Sequence, residues 1–379
     1  MNKTYDAERR LFIKNCAAVS GGSLLASLLP APDLFAAASP GVDRAFEARW
    51  YEKLPYKKVK CKLCPRECVV DDRERGYCGV RENWDGVYYS LVYSHPCTYH
   101  IDPIEKKPLF HFLPGAAAFS LATVGCNVDC KFCQNWQISQ TRPEQVDNFD
   151  LSPKEIAEMA RTDRIPVIAC TYSEPVVFSE YMHDIAREGN DRNIRSVMIS
   201  NGYIQEAPMR ELAKVLTAVK IDLKAFTEKY YREIVAGELK PVLDTLVLLR
   251  KLGIWTEIVY LMVPTLNDSD RELKQLSVWI ARNLGKDMPV HFTRFYPQYR
   301  MQNLPPTPLK TLERARDIAL GEGLHYVYVG NVPGHAGENT YCPNCQKALI
   351  RRKGFLIMEN RLENGKCPDC GASIPGIWT

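Results

Sequence analysis

The sequence predicts an α/β fold built around parallel strands. Between Phe119 and Asn331, short β-branched runs alternate with stretches of helical periodicity. Such alternation is typical of parallel strands joined by crossover helices, in an open doubly wound sheet or in a full or partial barrel. The strands are expected near residues 119–124, 167–171, 196–200, 218–223, 254–261, 290–296 and 325–331. Functional loops should follow their carboxyl ends.

The segment 239–253 shows the helical pattern between two of these strands. Its apolar residues recur at i, i+3, i+4, i+7 and i+8, and they are Leu239, Val242, Leu243, Leu246 and Val247. Gly253 stands where a C-cap glycine belongs. We therefore expect a helix that packs one apolar face on the sheet.

The composition favours an ordinary globular protein. The chain has 379 residues, of which 46% are hydrophobic and 25% charged, enough for one large domain with smaller appendages. Its net charge of +4 is small beside 49 basic and 45 acidic side chains. Because no strong basic field is present, we exclude nucleic acid as the main partner.

Cysteine is unusually abundant. Of the 14 cysteines, 11 fall into three tight groups, at positions 61/64/68/78, 126/130/133 and 342/345/367/370. This spacing suits metal ligands better than a disulfide framework, because C-x2-C pairs close disulfide rings poorly. The remaining Cys16, Cys97 and Cys170 are expected to be small buried hydrophobic residues.

The middle group follows a predicted strand and reads C-x3-C-x2-C, with Cys126, Cys130 and Cys133 and no fourth cysteine in the loop. Three thiolates bind three irons of a 4Fe-4S cluster and leave the fourth iron open, whereas structural zinc needs four ligands. An open iron can chelate the amino and carboxylate groups of S-adenosylmethionine (SAM). One electron then cleaves the bond to the 5' carbon and yields a 5'-deoxyadenosyl radical. The three cysteines are therefore the candidate catalytic residues.

With the aromatic Phe132 before its last cysteine, this loop resembles that of the radical SAM superfamily. The resemblance spans about residues 50–379 and is nearest to the radical SAM protein of the AmmeMemoRadiSam system, a relative of pyruvate formate-lyase activating enzyme. It is carried by the stretches CKLCPREC, CNVDCKFCQNW, TYSEP, SNGY, KIDLK, VPTLND and HFTRFYP. It implies a partial (β/α)6-type barrel, with a 4Fe-4S cluster and SAM as cofactors. It also implies a low-potential electron donor such as flavodoxin or ferredoxin.

The resemblance also implies SAM-binding residues in two loops. Thr171 to Pro175 replaces the family's G-G-E-P segment, whose glycines are missing here. Glu174 would receive the SAM ammonium group, and the alternative is a solvated loop acid. Ser200 and Asn201 match a position that reaches the SAM ribose or carboxylate, although S-N-G also suits a turn.

Three further residues carry over from the relatives. Asp222 and Lys224 match the D-x-K of activating enzymes, near SAM or a substrate peptide, and on a strand they share one face. His291 corresponds to a histidine near the adenosyl group, and the alternative is a satisfied core histidine.

The C-terminal quartet consists of Cys342, Cys345, Cys367 and Cys370, two C-x2-C pairs with 21 residues between them. This is a zinc ribbon pattern, with an auxiliary iron-sulfur cluster as the alternative. The N-terminal quartet consists of Cys61, Cys64, Cys68 and Cys78 and is less regular. It could hold zinc, which the spacing favours, or a second 4Fe-4S cluster that feeds electrons to the first. Neither quartet is expected to be catalytic.

Residues 1–39 resemble a twin-arginine export signal. Arg9 and Arg10 precede an apolar stretch, and Ala36-x-Ala38 offers a cleavage site. The apolar stretch is too short for a transmembrane helix. The alternative is an N-terminal amphipathic helix. The signal predicts export, whereas the cytoplasmic supply of SAM predicts retention.

The predicted order is therefore a signal at 1–39, a Cys-rich region at 50–110, a radical SAM core at 111–335 and a zinc ribbon at 338–379. We expect an enzyme that abstracts hydrogen from an acceptor, for example a protein or a peptide. One alternative is a glycyl-radical-enzyme activating enzyme. The alternative from another class is a non-catalytic iron-sulfur and zinc protein that binds a partner or senses redox state.

Overall fold

The computed structural model describes residues 45–379. The predicted export signal, with Arg9, Arg10, Ala36 and Ala38, lies outside the described residues, and so does Cys16. These assignments therefore stay predictions from the sequence.

The N-terminal region forms two small antiparallel sheets. Its strands are β1 (Phe46–Glu47), β2 (Tyr51–Lys53), β3 (Val59–Cys61), β4 (Val69–Val70), β5 (Arg81–Trp84) and β6 (Val87–Ser90). β3 lies between β2 and β4 in one sheet, and β6 lies between β1 and β5 in the other. Cys61 thus ends β3, and Cys68 directly precedes β4.

The central sheet has eight strands. They are β7 (Thr98–Pro103), β8 (Ala117–Ala122), β9 (Val167–Cys170), β10 (Arg195–Ser200), β11 (Ala218–Asp222), β12 (Trp255–Met262), β13 (Val290–Arg294) and β14 (Val327–Gly330). β8 to β14 are parallel and lie side by side in chain order, while β7 pairs antiparallel with β8. Within the described residues β14 does not pair with β7 or β8, so the barrel is partial. The α/β class predicted from the sequence is confirmed.

Helices connect the parallel strands. They are α1 (Trp136–Ser139), α2 (Pro153–Thr162), α3 (Ser179–Asn190), α4 (Glu206–Leu212), α5 (Glu228–Tyr230), α6 (Leu239–Leu252), α7 (Asp270–Asn283) and α8 (Leu309–Gly321). α5 runs on into a π-helical turn, Tyr231–Val235. Short 3-10 helices cover Pro55–Lys57, Ile104–Lys106, Pro143–Gln145, Pro175–Phe178 and Ala336–Glu338. In residues 45–379, no helix combines the length and the apolar character needed to cross a membrane.

Local sequence sets the ends of these helices. Ser152 caps α2 in a capping box with Glu155, whose carboxylate accepts the Ser152 backbone N–H at 2.7 Å. Ser269 caps α7. Gly253 ends α6 with a φ of 72°, as the sequence predicts for a C-cap glycine.

A buried ion pair fastens the N-terminal region to the barrel. Arg81 of β5 and Glu180 of α3 are each only 1% exposed, and Arg81 Nη1 donates to Glu180 Oε1 at 3.0 Å. Charges are stable in a protein interior only when they are paired, so this contact ties the position of β5 to α3.

The C-terminal segment forms a small sheet of β15 (Thr340–Tyr341), β16 (Ala348–Lys353) and β17 (Leu356–Asn360). Its core includes Tyr326 and Tyr328 of the barrel edge together with Leu349 and Ile350. From β16, the buried Arg352 donates to the Phe110 carbonyl oxygen at 2.8 Å. The segment is therefore packed directly on the barrel.

Candidate functional site

A cavity opens at the carboxyl ends of the parallel strands. Its volume of about 490 Å³ is in the range of roughly 300–1,000 Å³ that is typical of small-molecule sites. Several residues singled out from the sequence line it: Cys126, Cys130, Phe132, Cys133, Glu174, Ser200, Asn201, Asp222 and Lys224. The fold thus brings separate loops to one place.

The three-cysteine loop is held at its start and at its middle. The residue before its first cysteine, Gly125, has a φ of 99°, and an added Cβ would lie 2.6 Å from Val80 Cγ1 and 3.0 Å from the Cys78 carbonyl oxygen. Only glycine fits such a position without rearrangement. On either side of Cys130, the backbone N–H groups of Asp129 and Lys131 each donate to the π-helical turn at 3.0 Å.

The donor set of this loop fits an iron-sulfur cluster. Cys126, Cys130 and Cys133 are free thiols, and burial raises the pKa of Cys130 to about 12. Buried thiols of this kind become thiolates when a cation binds beside them. Within residues 45–379, the three sulfurs do not all lie within 4.8 Å of one another, so they are not gathered around one ion. The adjoining cavity leaves room for a ligand on a fourth iron.

Glu174 organises the wall opposite this loop. Glu174 is only 2% exposed, so it is not the solvated loop acid that the sequence left as an alternative. Its Oε1 accepts the Ser200 hydroxyl at 2.6 Å and the Val176 N–H at 3.1 Å, and its Oε2 accepts the Asn201 N–H at 2.8 Å. Burial raises the pKa of Glu174, while these hydrogen bonds act to lower it. One carboxyl group thus positions two neighbouring cavity residues.

Asn201 connects Glu174 to the cysteine loop. Its Nδ2 donates to Asn127 Oδ1 at 2.9 Å and lies 3.9 Å from Cys126 Sγ. Its Oδ1 accepts the Tyr203 N–H at 2.8 Å, which is the turn contact that the S-N-G sequence also predicts. The turn and the place in the cavity wall are therefore compatible.

A charged triad lines the floor of the cavity beside β11. Asp222 pairs with Lys220 and, at 2.9 Å, with Lys224. Burial acts to raise the pKa of Asp222, but the two ammonium groups prevail and lower it to about 2. Burial lowers the pKa of Lys220. Sequence reasoning finds Asp222 and Lys224 and misses Lys220, although its place two residues before Asp222 on a strand puts both on one face.

The structure does not bring His291 to the cavity. His291 Nε2 lies 2.8 Å from Glu257 Oε2, and the ring stacks on Tyr328 at 4.9 Å. Glu257 also accepts the backbone N–H groups of Phe110 and His111, at 3.0 and 2.8 Å. His291 is therefore a satisfied core histidine, deeper in the barrel than the cavity, and the structure does not bring it together with the other predicted site residues.

Two other cavity residues, Lys107 and Phe355, belong to none of the sequence motifs. Lys107 donates to Asp102 at 2.7 Å and lies 4.3 Å from the Tyr172 ring centre. Burial lowers the pKa of Lys107 to about 8. Thr293 and Phe355 complete this side of the lining, and Phe355 comes from the turn between β16 and β17.

The two quartets lie in separate places. In the C-terminal quartet, Cys342 Sγ lies 3.6 Å from Cys370 Sγ, and Cys345 Sγ lies 3.6 Å from Cys367 Sγ. Among the described residues it forms a group whose ligand atoms all lie within 4.8 Å of one another. The N-terminal quartet lines a second, small cavity of about 20 Å³, formed by Cys61, Cys64, Cys68 and Cys78 with neighbouring side chains.

The fold and the site define an α/β barrel protein with three cysteine thiols at its mouth. Residues 120–276 match the family model of the radical SAM superfamily. A protein of Methanocaldococcus jannaschii that is named as uncharacterized is 46% identical over 330 residues, which cover 86% of this chain and 98% of that protein. The chain belongs to the radical SAM superfamily and is a radical SAM enzyme.

Two further similarities are more distant. A protein of the same organism, named for the activation of a glycyl-radical enzyme, is 23% identical over 205 residues, covering 53% of this chain and 76% of that protein. A crystal structure of a radical SAM methyltransferase from Sphaerobacter thermophilus has a TM-score of 0.46 and 18% identity, covering 60% of this chain and 71% of that chain.

Proposed function

We propose that the protein reductively cleaves SAM at a 4Fe-4S cluster held by Cys126, Cys130 and Cys133, and uses the product radical to abstract hydrogen from a protein or peptide acceptor. The observation that carries the proposal is one cavity lined by all three thiols and by polar groups from the ends of β10 and β11. When bound, such a cluster supplies the electron that cleaves SAM to methionine and a 5'-deoxyadenosyl radical.

The chain's own residues orient SAM in this proposal. SAM carries an ammonium, a carboxylate and a sulfonium, so it needs both acidic and basic neighbours. Asp222 stays ionised at neutral pH because its pKa is lowered to about 2, and Lys224 stays protonated beside it. Glu174 holds Ser200 and Asn201 so that their polar groups face the ligand. Phe132, packed 6.2 Å from the Tyr230 ring, keeps the last turn of the cysteine loop in place.

The acceptor has a second candidate. The relative named for glycyl-radical enzyme activation favours one particular acceptor, a glycine of a partner enzyme, as the second candidate. At 23% identity, this relative supports a shared use of SAM more strongly than a shared partner enzyme. The resemblance to the AmmeMemoRadiSam proteins stays a prediction, and so does a flavodoxin or ferredoxin as donor.

The test of SAM cleavage is the formation of 5'-deoxyadenosine by anaerobic, dithionite-reduced protein. Alanine in place of Cys126, Cys130 or Cys133 should abolish the product in each single variant, because each thiolate supplies one iron ligand. Cys170→Ala is the matched control, since Cys170 is buried on β9 outside the three groups. Cleavage that persists in any of the three loop variants would sink the proposal.

The acceptor can be sought separately. Incubation with deuterated candidate proteins or peptides should transfer deuterium into 5'-deoxyadenosine if one of them donates the hydrogen. Unlabelled product with every protein and peptide tried would argue against a polypeptide acceptor.

For the C-terminal quartet we propose structural zinc. Four sulfurs about 2.3 Å from one zinc ion lie about 3.8 Å apart, and the sulfurs of Cys342 and Cys370 are 3.6 Å apart. The ligation is closed, so this site has no open position for a substrate.

A further inference from the structure

We propose that the N-terminal quartet, Cys61, Cys64, Cys68 and Cys78, holds a second 4Fe-4S cluster that relays single electrons to the cluster of the three-cysteine loop. The relay rests on the proposed cleavage of SAM, whereas the binding of a second cluster does not. Zinc is the competing occupant of the same four thiols.

The separation of the sulfurs distinguishes the two quartets. The C-terminal sulfurs all lie within 4.8 Å, as one shared ion requires, and within residues 45–379 the N-terminal sulfurs do not meet this limit. A cubane cluster binds each cysteine to a different iron, so its ligand sulfurs lie farther apart than those of one ion. In the spacing of its sulfurs, the N-terminal quartet resembles the three-cysteine loop and differs from the C-terminal quartet.

The four N-terminal thiols also surround a void. The cavity between them measures about 20 Å³, and about 10–15 Å³ is enough to admit one water molecule. Four sulfurs in contact around zinc leave no such space. The walls are mainly apolar, with Val176 and Val177 on one side. Arg81, whose guanidinium is paired with Glu180, is a further part of the lining.

One backbone contact in this cavity suits an iron-sulfur cluster. The Tyr77 N–H points at Cys68 Sγ, with a nitrogen to sulfur distance of 3.5 Å. Hydrogen bonds to the sulfurs are among the features that set the reduction potential of such clusters.

The quartet lies directly against the three-cysteine loop. Asn127 lines the quartet cavity, and its neighbour in the chain, Cys126, lines the large cavity. Arg66, between the second and third cysteines of the quartet, donates through Nε to the Asn127 carbonyl oxygen at 2.5 Å. The Cys78 carbonyl oxygen lies 3.0 Å from the place of a Cβ on Gly125. The two sites therefore share a wall, which is what an electron relay requires.

The proposed relay transfers one electron at a time. A low-potential one-electron donor reduces the quartet cluster, and the quartet cluster is reoxidised when the loop cluster gains that electron. The electron ends in SAM, whose bond between sulfur and the 5' carbon breaks to give methionine and the radical. No proton moves in the relay itself.

Metal analysis tests the second cluster. In anaerobically reconstituted full-length protein, we expect about eight irons, as many acid-labile sulfides and one zinc per chain. The triple variant Cys126→Ala, Cys130→Ala, Cys133→Ala leaves the quartet untouched and should keep about four irons and the zinc. A triple variant without iron and with two zinc ions would overturn the proposal. Cys170→Ala should match the wild type.

Kinetics test the relay with the double variant Cys64→Ser, Cys68→Ser. A small reductant, dithionite, can enter the large cavity directly, so it should give nearly wild-type formation of 5'-deoxyadenosine in the variant. Reduced 2Fe-2S ferredoxin is too large to enter and should give a several-fold slower reaction than with the wild type. Equal rates with ferredoxin, or equal losses with both donors, would overturn the relay. If the wild type makes no product with either donor, the proposed function fails, and the iron content still decides the cluster.

Discussion

Asp222→Asn should destabilise the protein at neutral pH by about 2 kcal/mol. Asparagine resembles the protonated carboxyl group, so the loss equals the net free energy that ionised Asp222 gains in the fold, which is the attraction of Lys220 and Lys224 less the cost of burial. The pKa of Asp222 falls from 3.8 to about 2, and about 1.36 kcal/mol per pH unit gives about 2.4 kcal/mol. With a urea m-value of about 2–3 kcal/mol/M, the unfolding midpoint should fall by about 1 M.

The same reasoning fixes the pH dependence. The pKa of Asp222 is lower in the folded protein than in the unfolded chain, so its stabilisation is present above pH 3.8 and is lost as the pH falls to about 2. The difference in unfolding free energy between wild type and variant should therefore shrink across that window. Metal release in acid affects both proteins alike, so only their difference is used.

Asp244→Asn is the matched control, measured by the same urea unfolding at neutral pH. Asp244 pairs with Lys240 at 2.6 Å on the surface of α6, where both side chains are more than half exposed. Exposed pairs at i,i+4 contribute about 0.3–0.5 kcal/mol, so this variant should unfold almost like the wild type. If the two substitutions cost the same, or if the cost at Asp222 is unchanged at pH 2, the charged triad does not stabilise the cavity floor.

Three further changes are predicted. Cys342→Ala should remove the zinc and lower the stability, while the visible absorption of the loop cluster persists. Elemental analysis and absorption spectra measure these effects, and wild-type protein without zinc would contradict the prediction. Gly125→Ala should lower the free energy of unfolding in urea by about 2–4 kcal/mol and reduce the cluster content, because a Cβ there clashes at positive φ. In the control Gly321→Ala, the new Cβ meets nothing within 4 Å, so the free energy of unfolding should change by less than about 0.5 kcal/mol. Replacing Arg9 and Arg10 by lysine should leave a full-length folded precursor inside the cell, since lysine lacks the guanidinium fork. If wild type and variant fractionate identically, with residues 1–38 intact in both, the export prediction is refuted.

The parallel strands could be predicted because each is a short β-branched run between two helical segments. The strands of the N-terminal sheets have two to four residues, too few to show an alternation, and the antiparallel β7 has no helix before it. These elements are defined by pairing with distant partners, such as β7 with β8, and not by their own pattern.

The position of His291 outside the cavity lining has a physical cause. A period of two identifies the face of a strand but not the depth along it. His291 and Thr293 share the inward face of β13, and Thr293 lines the cavity, whereas His291 lies one layer lower against Glu257. Lys107 was out of reach for another reason, because it lies in the irregular segment between β7 and β8 and belongs to no motif.

Position in the fold separates the roles of the proposed metal sites, which look alike in sequence. The C-terminal quartet shares a core with Phe110, Tyr326 and Tyr328, in the layer of the barrel that holds His291, away from the cavity. Arg352 extends from the ribbon into that layer and bonds the Phe110 carbonyl oxygen at 2.8 Å. The C-terminal segment thus packs along the β14 edge of the barrel, and losing its proposed zinc should loosen that edge first. The N-terminal quartet lies instead against the cysteine loop, so a change there should affect the delivery of electrons before it affects the barrel.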